Sequence, residues 1–104
     1  MNRVEKLLEF LKDSPDDSFL QHALALEYVK LGEEEKAREL FEAILKREPG
    51  YVGSYYHLGK LLERTGNQEA AIQTYRDGMA ACKQAGDQHA YNELQGALEE
   101  LEDW

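Results

Sequence analysis

Cysteine is nearly absent: Cys82 is the only one in 104 residues. A lone thiol closes no internal disulfide and builds no cysteine-rich zinc site, so a reducing compartment is expected. Proline occurs only at Pro15 and Pro49. Positive charge is in deficit, with 12 Lys and Arg against 21 Asp and Glu and a formal charge of −9. That balance argues against non-specific binding to nucleic acid or an anionic membrane, since both are polyanions. No apolar run approaches the roughly 20 residues of a membrane span. The opening MNRVEKLLEFLKDSPDD carries charge throughout and has no apolar core, so it does not read as a secretory signal. The expected location is the cytoplasm, with no nucleic-acid and no membrane partner.

Catalytic signatures are missing too. There is no HExxH, no phosphate-binding G-x4-GK[ST], no CxxC and no GxSxG. Gly50 and Gly53 flank a helix start, but no lysine–serine pair follows, so Gly50-Tyr51-Val52-Gly53 reads as a linker. Glu33-Glu34-Glu35 and Glu99-Glu100 are neighbours in sequence, and neighbours on a helix point apart. They read as solvated surface. Cys82 and His89 have no apparent orienting acid, and Ser54, three residues before His57 and near a helix start, reads as a capping or exposed serine. No enzyme activity, cofactor or metal site is expected.

What is present is helical patterning. The chain is 42% hydrophobic and 32% charged, which fits one folded domain over residues 1–104. Shifted by 34 positions it aligns with itself: Pro15 on Pro49, Leu24 on Leu58, Gly32 on Gly66, Glu35 on Glu69, Ala37 on Ala71 and Phe41 on Tyr75. The period predicts helices at about 2–13, 18–31, 34–47, 52–65, 68–84 and 88–102. Asn2-x-x-Glu5 and Ser18-x-x-Gln21 fit capping boxes. Gly32 and Gly66 fall where each hairpin turns.

These residues make the chain resemble the tetratricopeptide repeat (TPR) family, whose pattern is W-x2-L-G-x2-Y, then A-x3-F, then P. The first unit reads Gln21-x2-Leu24-Ala25-x2-Tyr28, Ala37-x3-Phe41 and Pro49. The second reads Tyr55-x2-Leu58-Gly59-x2-Leu62 and Ala71-x3-Tyr75, with Lys83 at the place of the closing proline. The resemblance implies an all-α solenoid of about six antiparallel helices. It would comprise an N-terminal half unit (2–13), two full repeats (18–49 and 52–84) and a C-terminal capping helix (88–102). Gly59, Ala25, Ala37 and Ala71 are expected where paired helices touch. Glu93, Glu99, Glu100, Glu102 and Asp103 suit a solvated cap. Val4, Leu7, Leu8, Phe10 and Leu11 on the first helix either pack inward or leave a patch for a second copy.

The resemblance also implies a function. The family's first helices line a concave groove that holds a peptide or helix of a partner protein. The groove residues expected here are Phe19, His22, Leu26 and Lys30, then Tyr56, His57, Lys60 and Arg64, then His89 and Asn92. Tyr56, Lys60 and Arg64 recur every four residues, and a tyrosine flanked by two cations suits a carboxylate. Where chaperone-binding relatives carry a carboxylate-gripping set, this chain has His22, Leu26, His57, His89 and Glu93, so a chaperone tail is disfavoured. The expected role is a non-catalytic protein-binding module. The alternative is a self-associating, homodimeric scaffold.

Overall fold

The computed structural model describes residues 1–102. They form six helices: α1 (Arg3–Asp13), α2 (Ser18–Lys30), α3 (Glu34–Arg47), α4 (Gly53–Arg64), α5 (Gln68–Ala85) and α6 (Gln88–Glu102). No strand occurs among the described residues. Each helix lies within one residue of its expected bounds. Asp103, expected on the capping face, lies outside the described residues. The chain divides into two compact units, Met1–Glu48 and the segment from Pro49 onward.

In the first unit, α1 begins at a capping box. The Glu5 amide donates to Asn2 Oδ1 at 2.8 Å, and the Asn2 amide donates to Glu5 Oε1 at 3.3 Å. The box expected at Ser18 and Gln21 does not form. Asp17, one residue earlier, caps α2 instead, its Oδ1 accepting from the Leu20 amide at 3.0 Å. Ser18 and Gln21 are buried and serve another purpose. Arg47 at the end of α3 donates to Ser18 Oγ at 2.7 Å and to Gln21 Oε1 at 2.9 Å. Gln21 Nε2 then donates to the Pro15 carbonyl at 2.9 Å. This clamp occupies the position where the family pattern has tryptophan.

Below it, α2 packs on α3, burying Leu24 and Ala25 with Ala37, Phe41 and Ile44. The small alanines let the two backbones approach. Helix α1 packs on α2 and buries Leu7. Phe10 stays 60% exposed and Leu8 44%. Of the two outcomes expected for this helix, the uncovered apolar residues are the one found.

In the second unit α5 packs against both α4 and α6. Tyr75, on α5, is fully buried. A Cβ built at Gly59 would collide with the Tyr75 ring, so only glycine fits there. Gly78 has the same role, a turn beyond Tyr75: a Cβ there would lie 2.7 Å from Tyr55 Cβ and 2.8 Å from Leu94 Cδ1. Helix α5 does continue past the absent proline, reaching Ala85. Gly86 stops it at φ 71°, and the Asp87 amide closes the end by donating to the Cys82 carbonyl at 2.9 Å. Cys82 is buried, and burial pushes its thiol pKa up. The thiol is thereby kept protonated and inert.

Gly59→Ala places a methyl group inside the Tyr75 ring. Urea denaturation is expected to show a loss of about 1–3 kcal/mol with helicity retained. A variant as stable as wild type would show that Tyr75 can withdraw without cost.

Candidate functional site

Helix α4 carries two messages on two faces. Tyr55, Leu58, Gly59 and Leu62 are buried. Tyr56, His57 and Lys60 are half-buried, and Arg64 is exposed. The adjacent tyrosines therefore have separate tasks. Tyr55 Oη donates to the Pro49 carbonyl at 2.5 Å and fastens the linker to the helix. Tyr56 faces a shallow depression.

That depression has a volume of about 200 Å³ and lies between α4 and α6. Tyr56 and Lys60 line one side; Asn92, Glu93, Gly96, Ala97 and Glu100 line the other. A Cβ added at Gly96 would meet nothing within 4 Å, so the glycine keeps this space open. Lys60 Nζ lies 5.6 Å from the Tyr56 ring centroid, within range of a cation–π contact. It also lies 3.7 Å from Glu63 and 3.8 Å from Glu100. The Tyr75 hydroxyl donates to Glu63 from the packed side of the helix. Burial, then that hydrogen bond, push the phenol's pKa far up, so it remains a donor.

The expected groove residues thus separate. Tyr56, Lys60 and Asn92 come together at the depression, while His57 and Arg64 do not line it. His89 is exposed and lies 3.6 Å from Glu93 on the next turn of α6. Asn92 Oδ1 accepts from Gln88 at 2.8 Å. In the first unit Phe19 is 71% exposed. His22 meets Phe41 edge-on at 5.5 Å. Lys30 Nζ is 3.5 Å from Glu27, which also pairs with Arg3 at 2.8 Å. Leu26 is half-buried. Among the described residues no group of three or more His, Cys, Asp or Glu is placed to hold a metal ion.

The spacing on α4 offers Glu63 as a neutralising neighbour of Lys60, and the structure adds Glu100 from α6, which no local spacing signals. Sequence reasoning also missed a larger hollow of about 430 Å³ on α5, lined by Ala80, Ala81 and Ala85 with Tyr55 and Pro49.

Fold and site together define an all-α helix-turn-helix protein with a two-faced first helix. The sequence profile of the tetratricopeptide repeat family matches residues 22–85, and the chain belongs to that family. Members of this family generally mediate protein–protein interaction. A TPR repeat-containing protein of Pseudomonas aeruginosa is 27% identical over 99 residues, covering 95% of this chain and 94% of its own. A tetratricopeptide repeat domain protein from Salinibacter ruber, solved in solution, is 42% identical with a TM-score of 0.82; the match covers 86% of this chain and 90% of that one. The TPR2B domain of yeast Sti1, solved in a pHsp70 complex, shares the fold at a TM-score of 0.88 and 15% identity, covering 96% and 80% of the two chains. No helix among the described residues is long and apolar enough to cross a membrane.

His57 yields a test of the packing beside the depression. Burial lowers its pKa, opposed in part by the charge of Glu93. The native imidazole takes a proton less readily than the unfolded one, which does so below about pH 6.5. The unfolded state then binds more protons, so stability is lost as pH falls below that value. Denaturation midpoints at about pH 7.5 and about pH 5 should fall further for wild type than for His57→Gln. Equal falls would contradict the assignment.

Proposed function

We propose that the chain is a non-catalytic protein-binding module that holds a peptide or helix of a partner on the exposed face of α4 and α6. The observation that carries this reading is the depression lined by Tyr56, Lys60 and Asn92, on the face of α4 that packing leaves over. Tyrosine offers a large contact area at small conformational cost, and half-buried aromatic anchors of this kind dominate interface energetics. The yeast Sti1 domain of like fold was solved in a complex, which supports the reading by analogy. The contacts we assign are Tyr56, Lys60 and Asn92. A surface this short supports affinities in the micromolar range, about −8 kcal/mol.

The variant Tyr56→Ala should capture less partner from source-cell extract than wild type, at unchanged helicity. Loss of an anchor of this kind corresponds to about 2 kcal/mol or more, a fall of about thirtyfold or more. Unchanged capture would remove the assignment.

A second reading, self-association, draws on Phe10 and Leu8, apolar and exposed on α1. Under that reading light scattering reports a dimer at micromolar concentration, and Phe10→Glu converts it to monomer. A wild-type monomer throughout that range would dismiss it.

A further inference from the structure

We propose that the depression between α4 and α6 takes a basic side chain, a lysine or arginine from an extended segment of the partner, and disfavours a carboxylate. The inference rests on the partner-binding reading above and specifies the chemistry of the partner. It reverses the preference that the tyrosine–lysine–arginine stripe of α4 implies by itself.

The reversal follows from the charges that meet there. Lys60 is the one cation among the lining residues. It lies within 4 Å of two carboxylates, Glu63 at 3.7 Å and Glu100 at 3.8 Å, and over the Tyr56 ring. Glu63 is itself fixed from behind by the Tyr75 hydroxyl, so it stays beside Lys60. Arg64, the second cation of the stripe, does not line the depression. A visiting carboxylate would have to displace Glu63 or Glu100 from Lys60 while approaching Glu93, and like charges brought together at an interface are costly. A visiting ammonium or guanidinium finds Glu93 and Glu100 on the rim, with side chains 56% and 77% exposed.

Shape agrees with charge. A hollow of about 200 Å³ admits one long side chain rather than a folded element. Gly96 and Ala97 leave room for its methylene stem, and Tyr56 supplies an apolar wall. The chain's formal charge of −9 steers a basic segment inward at low ionic strength.

The test is an amide NMR titration of the full chain with two short blocked peptides, identical but for lysines in one and glutamates in the other. The lysine peptide is expected to shift the amides of Tyr56, Asn92 and Gly96, and the glutamate peptide to leave them in place. Glu93→Gln with Glu100→Gln should weaken the lysine peptide about three- to tenfold, and salt should do the same. Gly96→Leu fills the hollow; it should block the peptide without unfolding the chain, since a Cβ there meets nothing within 4 Å. If the glutamate peptide shifts those amides and the lysine peptide does not, the charge preference is overturned and the binding face survives. If neither peptide shifts them, the face is overturned and the inference with it. Lysine-peptide binding that is indifferent to both carboxylate substitutions also overturns the inference.

Discussion

The Tyr75 ring lies where a side chain at position 59 would stand. That contact between α5 and α4 sets the terms for the second unit. It lets the helices approach closely enough for Tyr75 to be fully buried, and it turns the Tyr55, Leu58 and Leu62 face of α4 inward. The Tyr75 hydroxyl, which burial would otherwise strand, finds Glu63 one turn further along α4. Glu63 in turn reaches Lys60. A packing requirement is thus passed through one hydroxyl and one carboxylate to Lys60, where it sets the charge beside the depression.

The first unit solves the same problem with different atoms. Arg47 reaches back from the end of α3 to Ser18 and Gln21 near the start of α2. A glutamine is accepted where the family pattern has tryptophan, because the planar guanidinium satisfies two buried polar side chains together. In the second unit the equivalent position is Tyr55, whose hydroxyl ties the helix to the preceding linker at Pro49. Both devices close a repeat at its open end with polar contacts, beneath which small residues and aromatics pack.

The periodic features of the fold were legible in the sequence. A shift of 34 aligned prolines, glycines and small residues, and all six helices followed to within a residue. Gly59 was legible as a point of contact because the family pattern places glycine there; Gly78 lies outside that pattern and was not. The cap of α2 was misplaced by one residue. Asp17 and Ser18 are both good capping types, and only the demand of Arg47 for the Ser18 hydroxyl decides between them. That Tyr56 and Lys60 share a face of α4 was legible, since spacing fixes which residues lie together on a helix; that Arg64 stands apart from the depression was not. Nor was the charge beside the depression, because Glu100 meets Lys60 across a separation of 40 residues that no local pattern encodes.

Division of labour on α4 is the central claim, and photocrosslinking tests it most directly. Benzoylphenylalanine placed at position 56, or at the exposed Gln73 of α5 as a control, would report which surface the partner touches in the source cells. The account predicts a partner adduct from position 56 and none from position 73. Adducts from position 73 alone, or equally from both, would contradict it.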